Sequence, residues 1–124
     1  MKGSFLTIST LEFAKSVKRL EEACLQEKND FIRDSVIQRF EFCIELAWKT
    51  TKKIMGTPTS APKDIVREMG QNNYIEHVDK WLLAIDMRNL TSHTYKEELA
   101  ERVYAFAVDF LPELKKLLTK ISSI

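Results

Sequence analysis

The sequence is poor in residues that interrupt or cross-link a chain. Its 124 residues include only three glycines, three prolines and two cysteines. Few turn residues, weak strand signals and a composition rich in Leu, Lys, Glu and Ala favour an all-α protein. Two cysteines do not make the disulfide framework that is typical of small secreted domains. We therefore expect Cys24 and Cys43 to be reduced core residues.

The sequence also lacks a charge excess and a long apolar run. Its 19 basic and 18 acidic side chains give a net charge of +1, which argues against a protein that coats nucleic acid by counterion release but allows a local RNA site. No run approaches the ~18 apolar residues of a membrane span, and residues 1–5 lack the apolar stretch of a signal peptide. We expect one cytoplasmic domain, residues 1–124, without membrane contact.

Hydrophobic periodicity and capping signals predict four long helices and one short one. Capping-box patterns at Ser9-x-x-Glu12 and Thr94-x-x-Glu97 predict two of the helix starts. We expect helix one to begin at Ser9 and helix two to run from about Asp30 to Met55, with Gly56 just past its end. A short helix three should be capped by Ser60 and end before Gly70. Helix four should run from about Tyr74 to Leu90, and helix five should begin near Thr94. Pro112 should kink helix five without ending it.

Four long helices with short connections predict an antiparallel up-and-down four-helix bundle with one short extra helix. Phe42 and Leu46 on helix two lie away from its main apolar stripe. Leu83, Met87 and Leu90 do the same on helix four. Both helices thus have apolar surface that a single bundle does not cover, and we expect a homodimer with these helices at its interface.

Several kinds of functional site are missing. The two histidines, His77 and His93, lie far from the cysteines in sequence, so no metal-ligand spacing exists. There is no Gly-rich phosphate loop and no Gly-x-Ser-x-Gly elbow. The Gly-Ser and spaced Asp-x-Asp of a nucleotidyltransferase are absent, so nucleotide transfer would need another chain. We expect no metal and no cofactor, and we interpret His77 as a surface or cap residue.

The remaining candidate is RNLTSHTY, residues 88–95, at the junction of helices four and five. A histidine titrates near neutral pH, so His93 can take a proton from a ribose 2′-hydroxyl or give one to a leaving oxygen. Arg88 stays charged and can hold a phosphate, and Tyr95 can stack on a base. The structural alternatives are that Arg88 compensates the helix dipole, that His93 is a polar turn residue and that Tyr95 only packs.

Two segments resemble a known family. DSVIQRFEF at residues 34–42 with ELAWK at residues 45–49 resembles the helix-two signature of the nucleotidyltransferase substrate-binding subunits. These belong to the HEPN superfamily and include the HepT toxins. Residues 88–95 resemble the second signature of the family, Arg-x4-His-x-Tyr. The resemblance implies a four-helix-bundle homodimer that is encoded beside a separate, small nucleotidyltransferase of the MNT type.

The resemblance also implies roles for individual residues. In HepT-like members, the positions of Arg88 and His93 form a metal-independent RNase site at the dimer cleft. Tyr95 would be the residue that the partner enzyme adenylylates to neutralise the toxin, with Ser92 beside it in the substrate-binding or modification site. The alternative is a non-catalytic subunit that presents a nucleotide or small substrate to the partner. A purely structural dimerisation module is a third hypothesis, and the role of Glu41 and Glu45 is open.

Overall fold

In the computed structural model, the backbone is described for residues 4–123 and the side chains for residues 8–123. This part of the chain forms five α-helices and one 3₁₀ turn, and contains no strand. The helices are α1 (Ser4–Cys24), α2 (Asp30–Met55), α3 (Pro62–Gln71), α4 (Val78–Leu90) and α5 (Glu97–Ser122), with the 3₁₀ turn at Thr91–His93 between α4 and α5. The predicted all-helical bundle with one short extra helix is confirmed.

The helices share one apolar core, to which α1, α2 and α5 contribute along their length. Trp81 of α4 packs edge-to-face on Phe110 of α5, with ring centroids 4.8 Å apart. Burial of each large side chain contributes about 1.5–3 kcal/mol. The largest fully buried side chains are Trp81, Phe13, Phe40, Phe110, Leu20, Ile44, Ile65, Met69, Leu114, Leu117, Val36 and Val66. Both cysteines are free, Cys43 buried and Cys24 half-buried.

Helix α2 has the predicted bounds, because local signals set both of its ends. The side chain of Asn29 accepts a hydrogen bond from the backbone N–H of Ile32 at 2.8 Å. Gly56 has a φ of 69°, and its N–H donates to the carbonyl of Lys52. The first contact is an N-cap and the second a left-handed C-cap, so this long helix places its side chains as the periodicity predicts.

The predicted start of helix one at Ser9 is wrong, because α1 begins at Ser4. Ser9 is buried inside the helix. Its hydroxyl accepts a hydrogen bond from Lys53 Nζ at 3.1 Å, and its carbonyl accepts one from the Thr50 hydroxyl at 3.5 Å. Contact with α2 therefore occupies the group that was predicted to cap the helix.

Helix α3 begins at Pro62 as expected, but Ala61 rather than Ser60 occupies the N-cap position. Gly70 lies inside α3, so the prediction that the helix ends before it is wrong. A methyl group at Gly70 would overlap the side chain of Val78. The glycine therefore allows the close approach of α3 and α4, whereas the sequence pattern indicated only a helix end.

The end of α3 is a Schellman motif centred on Asn73, which has a φ of 64°. The N–H of Tyr74 donates to the carbonyl of Met69 at 2.9 Å, and the N–H of Asn73 donates to the carbonyl of Gly70 at 3.2 Å. This turn holds Tyr74 outside any helix. Helix α4 consequently begins at Val78, four residues later than predicted.

Helix α5 begins at Glu97, so the predicted capping box at Thr94 is wrong. The hydroxyl of Thr94 instead donates to the carbonyl of Thr91 at 3.0 Å. The helix continues through Pro112, which is exposed, so the proline does not end it, as predicted.

None of the helices in the described part of the chain is both long and apolar enough to cross a membrane. Residues 1–3 lie outside the described residues. The interpretation of residues 1–5 as lacking a signal peptide therefore stays a prediction.

Candidate functional site

The candidate site lies where α4 ends, α5 begins and the middle of α2 passes behind them. We call residues 88–96 the α4–α5 corner. Arg88 is in the last turn of α4, His93 ends the 3₁₀ turn, and Tyr95 lies just before α5. The 3₁₀ turn contacts α2, α4 and α5, so three helices determine where this segment lies.

Two carboxylates of α2 hold Arg88. Its Nε donates to Glu45 Oε1 at 2.6 Å, and its Nη2 lies 3.5 Å from Glu41 Oε2. Glu41 and Glu45 are four residues apart and therefore share one face of the helix. The Arg88 side chain is 28% exposed, so it is half-buried and part of it reaches solvent. The positive charge of Arg88 on α4 is thus paired with carboxylates on α2.

Glu45 also pairs with Lys49 on its own helix, with Oε2 3.2 Å from Lys49 Nζ. Partial burial alone would raise the pKa of Glu45. The hydrogen bond from Lys49 and the positive charge of Arg88 outweigh that effect and hold the pKa of Glu45 below its ordinary value. Glu45 is therefore ionised at neutral pH and can orient Arg88.

The turn between α4 and α5 is held by its own hydroxyl groups. The Thr91 hydroxyl donates to the carbonyl of Arg88 at 2.7 Å, and the Ser92 hydroxyl donates to that of Asn89 at 3.3 Å. The N–H of Lys96 donates to the carbonyl of His93 at 3.2 Å. Such local bonds satisfy backbone groups at the end of a helix. The position of His93 is consequently ordered although its side chain is exposed.

The rings of His93 and Tyr95 lie side by side at the surface. Their centroids are 6.4 Å apart with an interplanar angle of 64°, an edge-on contact. Tyr95 is 79% exposed, so a macromolecular partner can reach its hydroxyl. The alternative in which Tyr95 packs as a buried first-turn aromatic is wrong.

The structure places the four predicted site residues, Arg88, Ser92, His93 and Tyr95, at the same corner but not in one hydrogen-bonded group. Within residues 8–123, no hydrogen bond joins Arg88 to His93. Arg88 faces the acids of α2, whereas His93 contacts Tyr95.

A second arginine, which sequence reasoning missed, holds the other side of the corner. Arg33 at the start of α2 is buried and pairs with Glu97 and Glu101 in the first turns of α5, and with Asp34. It follows the spacing of the apolar stripe, three residues before Val36. A charged residue at a stripe position is the signal that could have revealed it, because a buried arginine needs an anionic partner.

His77 takes the N-cap position of α4, and its half-exposed ring lies 3.0 Å from Glu113, in agreement with the prediction of a surface or cap residue. Among the side chains that the structure describes, no group of three or more His, Cys, Asp or Glu could hold a metal ion. Trp48 and Trp81 are both buried in the core.

The fold and the corner define a class of protein: a helical bundle with an ion-paired arginine beside an exposed histidine and tyrosine. Residues 9–123 match the family described as "Nucleotidyltransferase substrate binding protein like". The chain belongs to this family. The resemblance noted in the sequence is thereby confirmed.

One relative is the "Probable ribonuclease HepT" of Haemophilus influenzae. It is 38% identical over 100 residues, which cover 74% of this chain and 68% of the relative. A crystal structure of a protein from Thermus thermophilus has a TM-score of 0.78 at 27% identity, covering 86% of this chain and 96% of the other.

A second solved structure, from Haemophilus influenzae, is described as revealing the fold of a substrate binding domain of a nucleotidyltransferase. It has a TM-score of 0.68 at 31% identity, and the match covers 96% of this chain and 98% of the other. The similarity to both structures extends over most of the chain.

Proposed function

We propose that this chain works with a separate small nucleotidyltransferase of the MNT type, and that it is the HepT-like toxin of a two-component system. In this proposal it cleaves RNA through Arg88 and His93 without a metal. The observation that supports the proposal most is that a partly exposed arginine, Arg88, and an exposed histidine, His93, lie at one helix corner. The relative named as a ribonuclease adds to this support.

Arg88 is suited to hold a phosphate although it is already ion-paired. A guanidinium has five N–H donors, and the contacts with Glu41 and Glu45 use only part of them. The two acids orient the guanidinium plane in advance, so that binding a phosphate costs less reorganisation.

The proposed reaction is an internal transesterification of RNA. His93 takes the proton of a ribose 2′-hydroxyl, and the 2′ oxygen forms a bond to the adjacent phosphorus. The bond from phosphorus to the 5′ oxygen breaks, and that oxygen takes a proton from water, while His93 releases the proton that it took. Arg88 stabilises the negative charge that builds on the phosphoryl oxygens. The products are a 2′,3′-cyclic phosphate and a 5′-hydroxyl.

The proposal includes a homodimer through α2 and α4. Phe42 on α2 and Leu83 on α4 are 50% and 43% exposed. Leu46, Met87 and Leu90 pack against the core but stay partly exposed, so both helices keep apolar surface. Phe42 follows Glu41 in sequence and Met87 precedes Arg88, so this surface borders the corner. A second copy packed there would bring two corners together and form one RNA cleft.

The dimer can be tested with a double variant, Phe42→Glu with Leu83→Glu. We expect sedimentation velocity to show a dimer for the unchanged protein and a monomer for the variant. The control is Val108→Glu, which changes another exposed apolar residue, on α5, and should stay dimeric. A wild-type monomer would contradict this part of the proposal.

The RNase proposal is tested by incubating purified protein with RNA in the presence of EDTA. We expect cleavage that leaves 2′,3′-cyclic phosphate ends, and a loss of at least about a hundredfold in His93→Ala, because general acid–base catalysis contributes on that order. A His93→Ala protein that cleaves as fast as wild type would remove His93 from the mechanism.

The second candidate function is a non-catalytic subunit that presents a nucleotide or small substrate to the partner enzyme. The description of the family as substrate-binding favours it. Mass spectrometry after incubation with the nucleotidyltransferase and ATP separates the two candidates. We expect AMP on Tyr95, where it would place bulk and negative charge beside His93 and block RNA. A labelled small molecule with an unlabelled Tyr95 would support the second candidate.

A further inference from the structure

The six arginines of the sequence fall into two groups in the structure. Four of them form ion pairs with carboxylates: Arg33, Arg67, Arg88 and Arg102. Within the described residues, Arg19 and Arg39 have no carboxylate within ion-pair distance. These two arginines are distant in sequence, yet they line the same surface groove.

This groove lies between the C-terminal half of α1 and the N-terminal half of α2, and has a volume of about 390 Å³. Its lining is mostly polar and consists of Arg19, Glu22, Ala23, Gln26, Ser35 and Arg39. On α1, Glu22 and Ala23 follow Arg19 by three and four residues, and on α2 Arg39 follows Ser35 by four, so the lining residues of each helix share one face. Gln26 lies just past the end of α1. Buried Ala23 is the one apolar lining residue, and its short side chain leaves room between the two guanidinium groups.

The side chain of Arg39 is already oriented. Its Nε donates to the Ser35 hydroxyl at 3.0 Å, which leaves its terminal N–H groups for another acceptor. Two guanidinium groups that face one groove repel each other unless an anion lies between them. Glu22 also lines the groove but forms no ion pair with either arginine in the part of the chain that is described, so the groove has a net positive charge.

We propose that this groove binds a phosphate group of a nucleotide, either as a free mononucleotide or within an RNA strand. Arginine forks match the terminal oxygens of a phosphate with paired N–H donors. The groove is open to solvent, so a nucleoside attached to the phosphate can extend along it. The groove does not include Arg88 or His93, so this proposal can be tested independently of the proposed RNA cleavage.

The test uses two probes on the full chain that carries His93→Ala, so that RNA is bound without being cut. One probe is a short fluorescein-labelled oligouridylate followed by fluorescence anisotropy. The other is AMP, followed by NMR shifts of the backbone amides on the two sides of the groove. Both are measured at constant ionic strength, because screening weakens all charge contacts. Acetate at the same ionic strength should displace neither probe.

Binding is compared between two double variants with the same change of net charge. Arg19→Gln with Arg39→Gln should weaken phosphate binding by about tenfold or more, since it removes both charged donors. Arg67→Gln with Arg102→Gln alters two arginines that are paired elsewhere and should change the affinity by less than about twofold. Glu22→Gln should strengthen binding, because it removes the carboxylate that opposes the anion.

Each outcome supports or overturns the proposal once circular dichroism shows that the variants are folded. Weaker binding of both probes in the Arg19/Arg39 variant means that the phosphate group itself is recognised. A loss for AMP alone indicates a mononucleotide site, and a loss for the oligonucleotide alone indicates a strand site. If both double variants weaken binding equally, or if the unaltered groove binds neither probe, the proposal is wrong.

Discussion

Arg33 and Arg88 make the same kind of contact at opposite sides of one corner, yet in different surroundings. Arg33 reaches from α2 to Glu97 and Glu101 on α5, and Arg88 reaches from α4 to Glu41 and Glu45 on α2. In both cases an arginine joins two glutamates that are four residues apart on a neighbouring helix. The Arg33 side chain is 7% exposed, whereas that of Arg88 is 28% exposed.

The difference in exposure indicates that the two clusters have different roles. The guanidinium of Arg33 is enclosed, so its contacts can only hold the start of α5 against α2. The Arg88 side chain is partly exposed and lies at the same corner as the exposed His93. This contrast indicates that a structural ion pair becomes a binding site when its cation stays accessible and a titratable group lies next to it.

The largest effect that would sharpen this comparison is on RNA cleavage. Arg88→Lys keeps the charge but loses the planar fork, so we expect cleavage to fall by at least about a hundredfold. Arg33→Lys should retain cleavage within about threefold at a temperature where both variants are folded. Initial rates measured in the presence of EDTA check this, and an equal loss in the two variants would break the distinction between the clusters.

The second prediction concerns stability, and here we expect the change at Arg33 to have a larger effect than the change at Arg88. Arg33→Met should lower the free energy of unfolding by about 2 kcal/mol, because it removes a buried cation that hydrogen-bonds to carboxylates of α2 and α5. Arg88→Met should cost less than about 1 kcal/mol, since this pair is partly screened by solvent. Urea unfolding followed by circular dichroism measures both values.

Arg102→Met is the matched control for the stability comparison, because Arg102 has only an exposed pair with Glu98. It should change the free energy of unfolding by less than about 0.5 kcal/mol. If Arg33→Met is no more destabilising than this control, the Arg33 cluster does not hold α5.

The smallest effect concerns pH and is present in both clusters. Burial alone would raise the pKa of Glu45, but the opposite effect of Lys49 and Arg88 is larger, so the pKa is below its ordinary value. The hydrogen bond from Lys28, with that from Arg33, lowers the pKa of Glu101. A carboxyl whose pKa is lowered on folding stabilises the fold above the pKa of the unfolded state, and this contribution is lost as pH falls through the folded-state pKa.

We therefore expect the free energy of unfolding to decrease from about pH 5 toward pH 3. Glu45→Gln should make this decrease shallower, because the substituted side chain no longer takes up a proton. Urea unfolding at a series of pH values, with NMR titration of the carboxyl carbons, provides the measurement. An unchanged slope in Glu45→Gln would mean that the Arg88 cluster does not contribute to acid sensitivity.

The sequence predicted both ends of α2, where each signal acts within a few residues. Asn29 and Gly56 bound α2 at the predicted ends, because each cap involves backbone groups of the adjacent turn. Ser9 and Thr94 have equally good capping patterns but do not cap. Ser9 is buried against α2, and Thr94 bonds to Thr91 in the 3₁₀ turn. A local pattern cannot show that a hydroxyl has found another partner.

The sequence predicted which segment forms the candidate site but not how the side chains of that segment pair with other helices. Residues 88–95 lie at the helix junction that the sequence indicated, and His93 and Tyr95 are exposed there. The sequence did not predict which side chains hold Arg88, although Glu41 and Glu45 were visible as an acidic pair on α2. The importance of Arg33 was missed, because hydrophobic periodicity treats a charged stripe position only as an interruption.

By itself, the sequence determined the helical class, the register of the apolar stripes, the ends of α2 and the family. These depend on backbone preferences and side-chain spacing over one or two helical turns. The tertiary structure alone decided that Ser9 is buried inside α1 and which acids meet the two arginines. Arg88 and Glu45 are 43 positions apart, and Arg33 and Glu97 are 64 apart. Such pairs form only when packed helices bring distant residues together, and no local pattern encodes that distance.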